Sequence, residues 1–452
     1  MVRKMSNEFN HGGMTEEQRK KQVKRAALAS VVGTSIEWYD FYLYGTMAAL
    51  VFPKLFFPES DPYIGLLLSF STLFIGFLAR PLGAAFFGNY GDRIGRKATL
   101  VTTLLLMGIS STLIGLLPTY ESAGIIVAFL LVFFRFCQGF GAGGEWGGSV
   151  VLSFEWSSKK RRGIMGSMTQ IASPIALLLS SGVVSLTIFL TGDNFYIWGW
   201  RIPFLISIVL VMIGFIIRRG VDDSPQFKKM KKENRLANKP VRDVLKKYPK
   251  TLFLIIFAGL AQGVPFYVFT TFAISYGTEQ LQLEEQFLTN TILLVAIVEI
   301  IVILYAAHLS DKYNRKIVFY VGSLLTILVA FPFFSIIDTK MPLLVVIGMC
   351  ISIIGAGTVY GPLAALIAEC FPANLRYSGT SLGYQLSAAL QGLSPLLCVY
   401  LLNTFNSTVP ISIYLIVTSL IAILAVSMIG NKPKQVEMEK SSILSDAKQK
   451  LS

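Results

Sequence analysis

The sequence predicts an all-α membrane protein, with twelve transmembrane helices in two pseudo-symmetric six-helix bundles. Three observations carry that expectation: an apolar composition, twelve apolar stretches of spanning length, and basic residues gathered in alternate connections. Of 452 residues, 53% are hydrophobic and 15% charged, against about 25% charged in soluble domains. A water-soluble fold cannot hide that much apolar surface. A spanning helix needs roughly 20 mostly apolar residues, because the hydrocarbon core is about 30 Å thick and each residue rises about 1.5 Å.

The stretches fall near 26–51, 63–88, 98–117, 124–152, 163–190, 198–217, 251–276, 287–309, 317–337, 342–368, 378–402 and 410–429. Lipid offers no partners for backbone amides, so spanning segments are helices or closed barrels, and the period-two alternation of barrel strands is absent. The first 25 residues are polar and basic without a cleavable signal pattern, so the first stretch is expected to stay as a helix. With sides assigned alternately, thirty-five of the forty Lys and Arg residues fall on one side. Lys54 and Lys340 fall on the other, and Arg80, Arg135 and Arg201 lie in or beside helices. That asymmetry predicts a multi-pass protein of the bacterial inner membrane with both termini cytoplasmic. The net charge of +14 thus reports topology and gives no reason to expect nucleic acid. Cys137, Cys350, Cys370 and Cys398 sit in or beside apolar stretches, at spacings that suit packing and neither metal nor disulfides.

The expected organisation is a cytoplasmic tail over 1–25, a first bundle over 26–217, a basic linker over 218–250, a second bundle over 251–429 and a cytoplasmic tail over 430–452. The linker is placed to touch anionic lipid. Internal repeats support the two halves. After the second stretch the chain reads Gly88-Asn89-Tyr90-Gly91-Asp92-Arg93-Ile94-Gly95-Arg96-Lys97, and after the eighth Ser310-Asp311-Lys312-Tyr313-Asn314-Arg315-Lys316; the two aspartates are 219 residues apart. After the fourth stretch Glu155 precedes Arg162 by seven residues. After the tenth, Glu369 precedes Arg376 by seven, 214 residues further on. Halves related in this way suit rocking about a midplane site.

Acids and bases at these helix ends can pair when the halves close and part when they open, which biases a conformational equilibrium without touching a solute. Gly88, Asp92, Arg93, Gly95, Arg96, Glu155, Arg162, Asp311, Arg315, Glu369 and Arg376 make up the expected cytoplasmic gate. The plainer reading is a set of positive-inside charges around a tight glycine turn, and Asn314 in place of the second glycine makes the second copy the weaker one.

The Gly88 to Lys97 loop resembles the signature of the major facilitator superfamily, and the Glu-to-Arg spacings resemble the charge pairs of its sugar-porter branch. Further segments are Glu37-Trp38-Tyr39-Asp40-Phe41, Ala79-Arg80-Pro81-Leu82-Gly83, Arg135-Phe136-Cys137-Gln138-Gly139, Gly143-Gly144-Glu145, Gly199-Trp200-Arg201-Ile202-Pro203-Phe204, Asp223-Ser224-Pro225 and Phe371-Pro372 through Arg376-Tyr377-Ser378-Gly379. Together they resemble the metabolite:proton symporter family, which includes carriers for shikimate, 2-oxoglutarate, citrate, proline and glycine betaine. The likeness covers nearly the whole chain, and its motifs identify a family better than a solute.

Ionisable groups in mid-membrane are costly and mark function by default. The first helix carries Glu37 and Asp40 on one face. The fourth carries Arg135, Gln138 and Glu145 within about a quarter turn of each other over roughly 15 Å. A carboxylate facing an arginine has two states: deprotonated it holds the cation, and protonated it releases the cation to an anionic solute. The resemblance implies this role for Asp40 and Arg135, since sugar porters of the superfamily pair an aspartate and an arginine at the matching positions. Gluing the first helix to the fourth is the alternative role, and Glu37 is the rival proton carrier. Arg80 precedes Pro81 and can instead serve carbonyls freed by the proline. Glu145 lies in a glycine-rich stretch where a packing hydrogen bond competes with a cavity role. Glu299 in the eighth helix is isolated.

Solute contacts are expected among Arg135, Gln138, Tyr39, Tyr42, Arg80, Glu145, Gln170, Gln262, Tyr267, Glu299, Tyr360 and Gln385, each weighed against plain helix packing. Pro174, Pro265, Pro362 and Pro395 interrupt helices of this set, where kinks let gates bend.

No phosphate-cradling loop and no metal-spaced His and Cys cluster is present, so neither an enzyme nor an ATP-driven pump is expected. The expected function is proton-coupled symport of a small organic acid or zwitterion, with no cofactor beyond the proton as coupling ion, in a monomer embedded in lipid. The alternatives are a facilitator or proton antiporter exporting a solute or drug, and a non-transporting sensor, which would be expected to carry a folded output domain.

Overall fold

The computed structural model describes residues 15–430, apart from the side chains of Pro62, Tyr63, Leu66 and Phe70. The expected tails over residues 1–14 and 431–452 lie outside the described residues. The twelve long helical segments are α1 (Glu16–Leu50), α2 (Pro62–Arg93), α3 (Arg96–Gly115), α4 (Ile126–Trp156), α5 (Lys159–Phe195), α6 (Arg201–Arg219), α7 (Pro249–Gln280), α8 (Glu285–Lys312), α9 (Arg315–Ile337), α10 (Pro342–Glu369), α11 (Arg376–Phe405) and α12 (Val409–Met428). Eleven of them are long and apolar enough to cross a membrane. The twelfth, α1, has 35 residues and falls short only in apolarity, because Glu37, Asp40 and several tyrosines occupy its middle. Those polar residues turn inward, and the fold is the two-bundle arrangement of twelve helices.

α1 begins ten residues earlier than the apolar stretch suggested. Thr15 and Gln18 cap each other reciprocally, Gln18 N donating to Thr15 Oγ1 at 3.2 Å and Thr15 N to Gln18 Oε1 at 3.0 Å. Glu16 and Glu17 add negative charge to the first turn, which satisfies free amides and complements the helix dipole. The basic segment up to Arg25 is therefore helical from Glu16 onward. Three of the four prolines highlighted above mark irregularities. α5 breaks at Ile171, three residues before Pro174, α7 winds into a π turn over Val268–Phe272 after Pro265, and α11 restarts at Ser394 beside Pro395. Each loses the amide that a regular turn requires. Pro362 stays within an unbroken α10.

Large exposed side chains such as Phe189, Leu190, Leu328 and Leu343 ring the outside, and lipid is the solvent that covers such a surface. The halves meet through α2 and α4 against α11, and through α5 against α8 and α10. One apolar cluster joins them, with Trp146, Val150, Phe154 and Ile171 of the first half packed with Ile255, Tyr360, Leu363 and Tyr384 of the second. The linker carries two short helices, Pro225–Lys232 and Pro240–Lys247. It docks on the basic end, where Trp156 Nε1 donates to Asp222 O at 3.0 Å and Lys97 N to Asp223 Oδ1 at 3.0 Å.

Candidate functional site

The gate motifs converge at the basic end and bond across the halves there. Asp92, at the end of α2, caps the start of α11: the amides of Tyr377 and Ser378 donate to its two oxygens at 3.2 and 2.9 Å. Asp311, at the end of α8, caps the start of the main helix of α5 in the same way, through the amides of Gly163 and Ile164 at 2.7 and 3.0 Å. Both aspartates place a negative charge on the positive end of a helix from the opposite half. The sequence repeat is thus a repeat of one cross-half bond.

The surrounding ion pairs are less symmetric. Arg96 contacts Asp92 and Glu155, each at 3.3 Å, and donates to the Ala373 carbonyl of the other half at 3.0 Å. Glu155 also pairs across the halves with Arg376 at 3.2 Å. In the second half Arg315 grips Glu369 with two bonds of 2.7 and 2.8 Å and touches Asp311 at 3.2 Å. Arg162, the counterpart of Arg376, stacks instead on the Phe154 ring at 4.3 Å. Arg93 is exposed. Gly95 has φ +134°, and a Cβ there would meet the Asp223 carboxylate at 2.8 Å, so the turn requires glycine. Gly88 lets the backbone of Ser378 approach.

Four of the predicted charges share one cavity. Glu37, Asp40 and Phe41 of α1, Arg80 of α2, Met107 of α3, and Arg135, Gln138, Gly139 and Ala142 of α4 enclose about 10 Å³, close to the room one water requires. All its walls belong to the first bundle, so the expected position between the halves is corrected: Glu37 and Asp40 point back among α2, α3, α4 and α6. Glu37 and Arg80 lie 3.2 Å apart as an ion pair. Arg80 also stands against Trp38, Phe41 and Phe77, at 5.4, 5.6 and 5.5 Å from the ring centres. Asp40 accepts from Ser207 Oγ of α6 at 2.9 Å. Arg135 lies over the Tyr44 ring at 4.2 Å and donates to Gln138 Oε1 at 3.2 Å, while Gln138 donates to Ser111 Oγ at 2.6 Å. No direct Asp40–Arg135 bond is made. Both oxygens of Glu37, Oδ2 of Asp40 and Nε of Arg135 are buried without a hydrogen-bond partner.

The other candidates divide into two sets. Turned into the first bundle are Tyr39, which donates to Pro203 O at 2.9 Å, and Glu145, which pairs with Arg218 and accepts from Thr103 at 2.8 Å and Ser149 at 2.9 Å. At the interface, Tyr42 bonds Ser173 at 2.9 Å. Gln170 accepts from Trp146 Nε1 at 2.9 Å and donates to Tyr360 O at 3.4 Å. Tyr360 and Tyr384 share a hydroxyl contact of 3.2 Å, and Gln385 donates to Ala142 O at 3.3 Å. Gln262 is buried, Tyr267 is half-buried with its ring edge-on to Phe266, and Glu299 is buried with no ion-pair or hydrogen-bond partner among the described residues.

Several contributors were not singled out from the sequence. Trp146 and Tyr384 stack across the halves with ring centres 3.5 Å apart and 8° between planes. Trp146 adjoins Glu145 in the glycine-rich stretch, a signal that was available. Arg218 counted as a linker cation, yet it is buried in the last turn of α6. Among the described residues no group of His, Cys, Asp and Glu is placed to hold a metal.

Two six-helix halves bonded at one end, with charged groups buried between helices, define a membrane transporter. The family model for the Major Facilitator Superfamily matches residues 30–395. Curated relatives include the shikimate transporter of Escherichia coli K12, 38% identical over 89% of this chain and 93% of its own, and the proline/betaine transporter of the same organism, 31% identical over 95% and 88%. Among solved structures, the proton:xylose symporter XylE bound to 6-bromo-6-deoxy-D-glucose has a TM-score of 0.73 at 17% identity, over 90% of this chain and 95% of its own. The inward-open form of XylE from E. coli gives 0.58 at 16% identity over 90% and 95%. The chain belongs to the major facilitator superfamily and is a transporter, not an enzyme.

Proposed function

We propose that the protein is a proton-coupled symporter that imports a small organic acid or zwitterion across the bacterial inner membrane by alternating access, with its basic end and both termini in the cytoplasm. The observation that carries this reading is the cavity shared by Glu37, Asp40, Arg80 and Arg135. Two carboxylates and two guanidiniums in so little water make the site's net charge, and hence its conformation, sensitive to a single proton.

A proton on Asp40 removes its claim on Arg135, and the present place of Arg135, over Tyr44 and bonded to Gln138, suits that released form. A proton on Glu37 would likewise free Arg80. Arg80 stands between that carboxylate and an aromatic trio at the edge of the interface, so it is the cation best placed for a solute carboxylate. Tyr42, Gln170, Gln262, Tyr267, Tyr360, Gln385 and Glu299 supply the remaining polar surface between the halves. Tyr39, Gln138 and Glu145 are spent inside the first bundle and are left out of solute contact. The names of the relatives fit this chemistry, since shikimate, proline and betaine all carry a carboxylate.

The test is uptake into liposomes of purified protein under an inward proton gradient, with shikimate, citrate, 2-oxoglutarate, proline and glycine betaine as the panel. Accumulation of one of them, with acidification of the lumen and collapse on adding an uncoupler, is the expected result. Alkalinisation of the lumen as solute enters would indicate antiport and overturn the symport reading.

A further inference from the structure

The two halves differ in how their buried charges balance. In the first half Arg80 and Arg135 stand with Glu37 and Asp40, two bases to two acids. In the second half the apolar stretches 251–276, 287–309, 317–337, 342–368, 378–402 and 410–429 contain no Lys or Arg, and Glu299 is the one acid in them. His308, nine residues further along α8, is exposed. Glu299 itself is 3% exposed and makes no hydrogen bond or ion pair among the described residues. A carboxylate so placed is costly to ionise unless a cation comes to it. Its oxygens are not sealed in, as those of Glu37 are, but border open space.

This carboxylate faces the seam between the halves. Gly357 of α10 lies against it, where a Cβ would come 3.7 Å from Glu299 Cγ, and Tyr360 follows one turn later on the same helix. Tyr360 and, from the first half, Tyr42 stand within the electric field of Glu299. Their hydroxyls are engaged elsewhere, Tyr42 with Ser173 at 2.9 Å and Tyr360 with Tyr384 at 3.2 Å, so neither bonds to it. Arg80 adjoins the same aromatic group from the other side. Its guanidinium lies 5.4 Å from the Trp38 ring centre, and Trp38 stacks on Tyr42 at 5.7 Å. Tyr267 and Tyr384 stand in turn within the field of Arg80. Tyr42 and Tyr267 are only half-buried. A cation of the first half and an unpartnered carboxylate of the second thus flank one cluster of tyrosines.

We propose that Glu299 is the specificity-determining residue of the solute site and receives a cationic nitrogen, so that the solute is a zwitterion with its carboxylate at Arg80. The proposal deepens the reading above and rests on its placement of a solute carboxylate at Arg80. Charge balance supports it. With the coupling proton aboard, the charges of Glu37, Asp40, Arg80, Arg135 and Glu299 cancel. A zwitterion keeps that balance, whereas a monoanion leaves one buried negative charge without a counterpart. The aromatic lining supports it independently, because tyrosine faces attract a cation and are the usual surroundings of a bound quaternary ammonium. Shikimate offers Glu299 hydroxyls but no positive charge.

The experiment is calorimetric titration of full-length protein in detergent at a single pH, so no proton gradient enters it. The probes are two zwitterions, each with an anion of the same shape that has carbon in place of the charged nitrogen: glycine betaine with 3,3-dimethylbutanoate, and proline with cyclopentanecarboxylate. Shikimate completes the set. Wild type is expected to bind at least one zwitterion more tightly than shikimate, and about tenfold or more tightly than its own isostere. Glu299→Gln is expected to weaken that zwitterion about tenfold and leave the isostere within about twofold, while Glu299→Asp, which keeps the charge, retains the preference. Failure to bind either zwitterion, equal binding of zwitterion and isostere, tighter binding of shikimate, or a Glu299→Gln that keeps the full preference would each overturn the proposal. Should Glu299→Gln not fold, Glu299→Asp and the paired wild-type titrations carry the decision. A protein that shows the preference yet accumulates nothing under a proton gradient loses the symport reading and keeps this assignment. One that accumulates shikimate under the gradient and prefers neither zwitterion keeps symport and loses the assignment.

Discussion

At the scale of single residues, the decisive feature is a surplus of unsatisfied acceptors in a dry place. Glu37 and Asp40 keep three carboxylate oxygens buried without a hydrogen-bond donor, with the Arg80 guanidinium 3.2 Å from Glu37, and a carboxylate left short of donors in such a setting is costly to ionise. Protonation is the direct remedy. Asp40→Asn mimics the protonated side chain permanently, and we expect it to bind and exchange solute while losing accumulation. One pH unit is worth about 1.4 kcal/mol and sustains roughly tenfold accumulation for one proton per solute, so the variant should fall to equilibration across that gradient. Unchanged accumulation would move the proton to Glu37, and the same assay on Glu37→Gln would then show the loss.

At the scale of elements, the architecture works by helix ends. Asp92 and Asp311 each hold two amides at the start of a helix in the other half, and a hydrogen bond to a charged group contributes about 1.5–3 kcal/mol. Asp92→Asn is therefore expected to shift the closed-to-open ratio at the basic end by roughly tenfold or more. A cysteine at Ser381, with the four native cysteines replaced, reports that shift: Ser381 is buried against Gly147 when the end is closed. Faster labelling by a membrane-impermeant maleimide from the basic side is the predicted outcome, and Asp311→Asn should act in the same direction. Gly91→Leu goes further, because its side chain takes the space of the Tyr377 ring. That variant should label at the open rate whether or not a proton gradient is applied.

At the scale of the molecule, Glu155 ties three segments together: Arg96 of its own half, Arg376 of the other, and Ser224 of the linker, which donates to it. Removing one member of a buried ion pair costs about 3–5 kcal/mol because the partner charge is stranded. Glu155→Gln should accordingly lower the melting temperature in detergent and raise labelling at Ser381→Cys together. A solute that binds only the folded protein will raise that temperature in proportion to the logarithm of its concentration. A thermal-shift screen of the five carboxylates is thus an independent check on the solute class, and a flat response to all of them would count against it.

Helix number, the two-half repeat and the gathering of charge at one end were legible in the amino-acid sequence, because each follows from local properties: apolar length, the offset of a short motif, and the placement of Lys and Arg. The chain also named the four charges of the cavity, since any ionisable group in a spanning stretch stands out against its neighbours. Which acid meets which base was not legible. The packing of α1 against α2, α4 and α6 decides that Arg80 takes Glu37, that Asp40 turns to Ser207, and that Arg135 settles on Tyr44. The end of α6, two residues beyond its apolar run, places Arg218 beside Glu145 instead of in a loop. The stacking of Trp146 on Tyr384 and the slot for Tyr377 depend on two helices from different halves arriving at one point. Composition and periodicity describe each helix alone, and only packing determines what its faces meet.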